Sequence, residues 1–281
     1  MTVKEAFNEI KLMLSDIDDG DLEARYIVEK VSGFSYSEML FKGDSEISSE
    51  MLSEMKNMAD RRLGGEPIQY ILGKWDFMDF TFNVGEGVLI PRPETEILVE
   101  EILERIQSVK APVVYDLCSG SGCIGLSIKA MRPDAEVYLV EKSDKALFYL
   151  KKNCQEVCGD LDKVDVIQGD ILKFADFGSL PIADVIVSNP PYIKSEEIPT
   201  LQSEVLREPH MALDGGDDGL VFYRVLVSEW TSKLKDSGFM AFECGEDQAE
   251  DISDLFINIG FDNEIINDYN NIQRIVIGRR S

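Results

Sequence analysis

The tetrapeptide from Asn189 to Tyr192, Asn-Pro-Pro-Tyr, has residue types that could prepare a planar nitrogen for chemistry. An amide or exocyclic amine nitrogen is a poor nucleophile because its lone pair is delocalised, and two acceptors on its N–H bonds would turn that lone pair toward an electrophile. The Asn189 Oδ1 atom and the Pro190 carbonyl are candidate acceptors, and the Tyr192 ring can stack on a planar group. Pro190 and Pro191 restrict the backbone that carries these groups. The segment therefore predicts methyl transfer to a planar nitrogen.

A glycine-rich turn follows an earlier apolar run, in the stretch "YDLCSGSGCIG". Gly120, Gly122 and Gly125 spell G-x-G-x-x-G, and Glu141 at the end of the next apolar run could hold ribose hydroxyls. Taken alone, this pattern fits a dinucleotide site, an S-adenosylmethionine site or an ordinary turn between a strand and a helix. A dinucleotide enzyme has no particular use for Asn-Pro-Pro-Tyr, so the two motifs together favour S-adenosylmethionine.

Both motifs must be positioned by strands, and the chain after Pro91 alternates apolar runs with helical segments. The first of these segments begins near Pro93, and others are expected at 143–158, 219–236 and 246–258. This alternation predicts an α/β, doubly wound, mainly parallel sheet with its ligand at the carboxyl ends of the strands. A short "YNN" turn joins the last two strands, which should therefore pair antiparallel. The seven expected strands are "VVYDL", "EVYLVE", "VDVIQ", "ADVIVSN", "FMAFEC", "NEIIND" and "RIVIG".

The N-terminal part has a different pattern. From Val3 to Gly64 apolar residues recur every three or four positions, which predicts a small helical bundle. The following "WDFMDFTFNV" has apolar residues at alternate positions, which predicts a connecting hairpin. We therefore expect a helical domain at 1–73, a hairpin linker at 74–90 and a catalytic domain at 91–281.

Charge narrows the choice of partner. Lys and Arg total 28 against 53 for Asp and Glu, which gives a net charge of −25. A phosphate backbone would be repelled, so we expect no direct contact with nucleic acid and a basic protein as an easier partner. The alternative is that the acidity serves only solubility.

The remaining composition points to a globular cytoplasmic protein, which we expect to be a monomer. The chain of 281 residues is 44% hydrophobic, and no apolar run is long enough to cross a membrane. Five cysteines, an odd number, fit reduced thiols better than a disulfide framework. The cysteines also lack the further ligands that a metal site needs, so no metal is expected.

Motifs spread over nearly the whole chain resemble the HemK/PrmC family, the glutamine N(5)-methyltransferases of peptide chain release factors. "IPRPETE" joined to an N-terminal helical region is the most specific of them, whereas "NPPY" also occurs in adenine and guanine amino-methyltransferases. The matching stretches are 61–77, 88–100, 116–122, 187–193, 208–220 and 242–248.

The resemblance implies a seven-stranded, Rossmann-like class I methyltransferase domain and a specific reaction. The substrate would be the glutamine of the Gly-Gly-Gln motif in class I peptide chain release factors, which the N-terminal domain helps to recognise. Asp170 matches an acid near the adenine, and Ile171 stands where the family often has an aromatic residue. The implied cofactor site is Cys118, Ser119, Gly120, Ser121, Gly122, Glu141, Asp170, Ile171 and Asn189, and the implied substrate site is Asn189, Pro190, Pro191 and Tyr192.

Three other functions compete with this interpretation. An N-methyltransferase of adenine or guanine in nucleic acid is opposed by the net charge and by "IPRPETE". An inactive adaptor is opposed by the intact glycines, Glu141 and "NPPY". The interpretation as a dinucleotide-dependent oxidoreductase depends only on the match to G-x-G-x-x-G.

Overall fold

The computed structural model describes residues 1–159 and 164–281. The chain divides into two compact units. Unit 1 comprises Met1–Lys74 together with Ser203–Arg207, and unit 2 comprises Trp75–Gln202 together with Glu208–Ser281. No helix in the described parts of the chain is long and apolar enough to span a membrane.

Unit 1 is helical, as the periodicity predicts. Thr2 and Ser35 each form a capping box with a glutamate three residues later, which satisfies free backbone N–H groups at the start of two helices. Apolar side chains at helical spacing, among them Ile10, Ile27 and Met55, are fully buried between the helices. The helices are α1 (Val3–Met13), α2 (Gly20–Ser32), α3 (Tyr36–Lys42), α4 (Ser49–Leu63) and α5 (Ile68–Leu72).

A buried ion pair holds the two parts of unit 1 together. Arg62 in α4 is only 4% exposed, and its Nε atom donates to Glu23 Oε2 in α2 at 2.6 Å. A second guanidinium nitrogen donates to Glu204 in the 203–207 segment. Burial raises the pKa of the Glu23 carboxyl, and the hydrogen bond from Arg62 opposes that rise. The 203–207 segment is thus tied to the helices of unit 1 by a buried guanidinium.

The hairpin consists of β1 (Lys74–Phe77) and β2 (Phe80–Asn83), and its residues from Trp75 onward belong to unit 2. Phe77 and Phe82 are buried and meet edge to face, with ring centroids 6.0 Å apart. The Asn83 backbone N–H donates to Asn153 Oδ1 at 2.7 Å, and Asn153 Nδ2 donates to the Ser121 carbonyl at 2.9 Å. Asn153 therefore connects the hairpin to the glycine turn.

The main sheet of unit 2 confirms the predicted α/β doubly wound fold. Alternate residues of one strand enter different cores, so Val114 packs on one face and Tyr115 on the other. The sheet strands are β3 (Val113–Leu117), β4 (Glu136–Glu141), β5 (Val164–Gln168), β6 (Ala183–Ser188), β7 (Leu234–Glu243), β8 (Phe261–Asn267) and β9 (Gln273–Arg280). The helices are α6 (Pro93–Arg105), α7 (Cys123–Met131), α8 (Asp144–Asn153), α9 (Val221–Ser228) and α10 (Ala249–Asn258).

The order of the strands in the main sheet determines where a ligand is expected to bind. The order is β5-β4-β3-β6-β7-β9-β8, with parallel pairing from β5 to β7. β9 lies between β7 and β8 and is antiparallel to both, which confirms the expected pairing of the last two strands. The order reverses between β3 and β6, where Leu117 is the register partner of Ser188. Cys118 and Asn189 therefore leave neighbouring strand ends at the switch point, where an open α/β sheet binds its ligand.

The predicted boundary between the helix at 219–236 and the strand that follows it was wrong. The helical segment expected at 219–236 ends earlier, because α9 stops at Ser228, a 3₁₀ turn spans Trp230–Lys233, and β7 starts at Leu234. Trp230 is fully buried, and its indole N–H donates to the Ile171 carbonyl at 3.1 Å. This tertiary contact favours the 3₁₀ turn, and the polar start of β7 hid the strand from a search for apolar runs.

Candidate active site

The glycine turn joins β3 to α7 with three residues in the left-handed region. The φ angles are +62° at Cys118, +54° at Gly120 and +82° at Gly122. A side chain at Gly122 would collide with the leucines of α7 and α8, whereas a Cβ built at Gly120 has nothing within 4 Å. The turn therefore needs glycine at Gly122 for packing and leaves open space at Gly120 for a ligand.

Glu141 ends β4 beside this turn and is 8% exposed. Its Oε2 atom accepts from the Gly120 N–H at 2.8 Å, and its Oε1 atom accepts from the Ser143 N–H at 2.7 Å. Burial raises the pKa of the carboxyl, while these backbone donors oppose the rise. Because a carboxylate oxygen can accept two hydrogen bonds, each one keeps capacity for a ligand.

Asp116 supports the glycine turn from below, a role that the sequence reasoning missed although the residue lies in the quoted "DLCSGSG" stretch. It is fully buried in β3, and its Oδ2 atom accepts from the Gly125 N–H in α7 at 2.9 Å. Burial raises the pKa of Asp116 to about 7, and the nearby Glu141 charge adds to the rise. Asp116 thus fixes the first turn of α7 under the glycine turn.

Asp170 and Ile171 follow β5 on the other side of Glu141. Burial would raise the pKa of Asp170, but the hydrogen bonds from the Lys142 ammonium, at 2.9 Å, and from the Leu172 N–H, at 3.1 Å, lower it overall. Ile171 is 3% exposed. An ionised acid and an apolar side chain therefore lie side by side.

One cavity brings most of the predicted residues together. Gly122, Pro190 and Tyr192 are not among the residues that line it, and the roles of all the predicted site residues stay predictions. The Tyr192 carbonyl accepts from Gln248 Nε2 at 2.8 Å, which holds the backbone of the tetrapeptide. The predicted residues that line the cavity are Cys118, Ser119, Gly120, Ser121, Glu141, Asp170, Ile171, Asn189 and Pro191.

Asn189 has one satisfied and one unsatisfied side-chain atom. Its Nδ2 atom donates to Thr95 Oγ1 at 3.3 Å, whereas its buried Oδ1 atom has no hydrogen-bond partner among the described residues. A buried acceptor without a partner is costly, so its presence beside a cavity indicates a ligand donor. This is the atom that the sequence predicts as an acceptor for a substrate N–H.

Thr95 and Glu243 stand behind Asn189, and the sequence reasoning gave neither of them a role. Thr95 lies in α6 and is 2% exposed, and its hydroxyl donates to Glu243 Oε2 at 2.6 Å. Glu243 ends β7, is 3% exposed, and has a pKa that burial raises to about 7. Their membership in "IPRPETE" and "FECGEDQ" was the available signal.

Comparison with family models assigns both parts of the chain. The model described as the PrmC N-terminal domain matches residues 5–73. The model described as the Methyltransferase small domain matches residues 93–236. A solved structure, the hMettl16 catalytic domain in complex with MAT2A 3′UTR hairpin 1, covers 91% of both chains with a TM-score of 0.59. Its sequence identity is 12%, so the likeness concerns the fold alone.

Curated relatives are similar over nearly the full length. A "Release factor glutamine methyltransferase" of Thermodesulfovibrio yellowstonii is 39% identical over 246 residues, which cover 86% of either chain. A protein of the same name from Clostridium acetobutylicum is 36% identical over 293 residues, covering 100% of this chain and 99% of the relative. These matches confirm the resemblance seen in the motifs. The chain belongs to the release factor glutamine methyltransferase family.

Proposed function

We propose that this protein methylates the side-chain amide nitrogen of the glutamine in the Gly-Gly-Gln motif of class I peptide chain release factors, with S-adenosylmethionine as methyl donor. The observation that supports it most directly is the buried Asn189 Oδ1 atom, which has no hydrogen-bond partner in the described part of the chain and lies beside a cavity that the glycine turn and Glu141 also line. The names of the relatives support the choice of substrate.

The cofactor fits the residues of this cavity. The open space at Gly120 admits close approach to the backbone, and Glu141 retains acceptor capacity for the two ribose hydroxyls. Asp170 offers an acceptor for an adenine amine, and Ile171 offers an apolar surface for its ring. Bound there, S-adenosylmethionine supplies a methyl group on a sulfonium cation.

The tetrapeptide would orient the glutamine. Asn189 Oδ1 and the Pro190 carbonyl accept the two N–H bonds of the substrate amide, which directs its nitrogen lone pair toward the methyl group. Tyr192 stacks on the planar amide. Transfer would form the C–N bond as the methyl C–S bond of the sulfonium breaks, which would leave a neutral thioether. The methylated nitrogen would then be acidic enough to lose its proton to water, so no protein base is required.

A second contact surface is needed, because one glutamine side chain offers too little area for a specific complex. We assign that contact to unit 1, whose α3 helix exposes Leu40 and Phe41, the latter by 90%. The net charge of −25 would attract a factor domain that is basic because it works against ribosomal RNA. The enzyme would act in the cytoplasm as a monomer.

The reaction is tested by incubating the full-length protein with isotope-labelled S-adenosylmethionine and an intact class I release factor. Mass spectrometry should find one labelled methyl group on the Gly-Gly-Gln glutamine. A factor with alanine at that glutamine is the control and should stay unlabelled. Labelling of DNA or RNA oligonucleotides, with none on the factor under the same conditions, would contradict the proposal and favour a nucleic acid methyltransferase.

Replacing Glu141 with alanine tests the cofactor site. The variant should bind S-adenosylmethionine more weakly by roughly 1.5–3 kcal/mol, because it loses charge-assisted hydrogen bonds in a buried position. Isothermal titration calorimetry measures this difference. Glu136→Ala, at the exposed start of the same strand, is the matched control and should leave the affinity unchanged. Wild-type affinity in Glu141→Ala, or binding of NAD without binding of S-adenosylmethionine, would contradict the assignment.

A further inference from the structure

We propose that Thr95 and Glu243 are positioning residues that hold the Asn189 amide in one of its two orientations, with Oδ1 presented to the substrate nitrogen. This inference rests on the proposed function. It assigns a role to two side chains behind the residue that touches the substrate.

The direction of the hydrogen bonds fixes the amide. An ionised Glu243 carboxylate can only accept, so the Thr95 hydroxyl proton is committed to it at 2.6 Å. The Thr95 oxygen is then left as an acceptor and must face the donor end of the Asn189 amide, Nδ2, at 3.3 Å. A reversed amide would place its oxygen against the Thr95 oxygen, with no proton between them. The Asn189 Oδ1 atom is therefore held on the side of the amide that faces away from Thr95.

The fold makes this chain of three residues rigid. β6 and β7 are parallel neighbours with Ser188 opposite Phe242, so Asn189 and Glu243 occupy the next position of the same register. Thr95 comes from α6 and lies over both. Thr95 and Glu243 are at most 3% exposed, so water is not at hand to replace either hydrogen bond.

Protonation of Glu243 would remove the fixed direction of the hydrogen bonds from Asn189 to Thr95 and from Thr95 to Glu243. Burial raises the pKa of Glu243 to about 7, and hydrogen bonds from Thr95 and Asn189 oppose the rise. Below that pH the carboxyl gains a proton that it can donate to Thr95, so the reversed amide becomes acceptable. Turnover should therefore rise with pH through about 7. Among the described residues, the other titratable groups that interact with Glu243 are Glu94, Cys123, Tyr192, Tyr223, Cys244 and Arg274.

The experiment compares Thr95→Val with Thr95→Ser in the full-length enzyme acting on a release factor. Valine keeps the shape without the hydroxyl and should lower kcat about tenfold, with the KM for S-adenosylmethionine close to that of the wild type. Serine restores the hydroxyl and should recover most of kcat. In Glu243→Gln the rise of kcat with pH through about 7 should be absent, because the titrating group is gone.

Wild-type kcat in Thr95→Val, or equal losses in the valine and serine variants, would overturn the inference. So would a Glu243→Gln variant that keeps the wild-type pH profile. If Thr95→Val fails to fold, the serine variant and the Glu243→Gln profile still decide. A wild-type enzyme that methylates no glutamine would instead overturn the proposed function, and the inference would fall with it.

Discussion

Replacing Asn189 with alanine should lower the turnover of the glutamine substrate by about 100-fold or more. The buried Asn189 Oδ1 atom has no hydrogen-bond partner within residues 1–159 and 164–281, so it can accept one of the two amide N–H bonds and align the nitrogen. Without this acceptor the amide can rotate, and its lone pair is no longer directed at the methyl group. Single-turnover measurement of methyl transfer isolates this step from product release.

Measuring cofactor affinity distinguishes a loss of substrate alignment from a collapse of the whole site. Asn189→Ala should bind S-adenosylmethionine with nearly wild-type affinity, since the glycine turn and Glu141 remain in place. Asn189→Asp keeps one acceptor oxygen for the substrate. Its second oxygen replaces the Nδ2 atom, which lies 3.3 Å from Thr95 Oγ1, so the variant should keep only part of the activity. Methyl transfer by Asn189→Ala at the wild-type rate would refute the role of this side chain.

Replacing Arg62 with alanine should lower the free energy of unfolding of unit 1 by about 3–5 kcal/mol. The substitution leaves Glu23, which is 7% exposed, as a buried carboxylate without its counter-charge, and it frees Glu204 in the 203–207 segment. Native-state hydrogen exchange of the full-length protein measures the effect at the amides of α2 and α4. Because unit 2 keeps its own core, exchange of the amides in β3 and β6 should change little.

Arg61 provides a matched control on the same helix. It pairs with Glu66 at 2.8 Å, but the two side chains are 42% and 34% exposed. Arg61→Ala should therefore cost less than about 1 kcal/mol, because exposed ion pairs contribute little. Equal losses in the two variants would show that burial of Arg62 is not the source of its stabilising effect.

The sequence by itself determined the fold class and the location of the site. Alternating helical and apolar periods required a parallel sheet, since each strand and helix must bury an apolar face. Asn189 and Cys118 each follow an apolar run, and the carboxyl ends of parallel strands share one edge, so the sequence alone placed both residues in the candidate site. Local patterns carry this information because strand direction and side-chain period are local properties.

Only the tertiary structure decided which partners the polar side chains have. Thr95 and Glu243 are 148 positions apart, and Arg62 and Glu204 are 142 apart, so no local period relates them. Whether residues 234–236 continue the helix or begin β7 likewise depended on where Trp230 is buried. A hydrogen bond depends on distance and direction between two atoms, which packing of the whole chain sets. For that reason the orientation of the Asn189 amide could be read only from the folded protein.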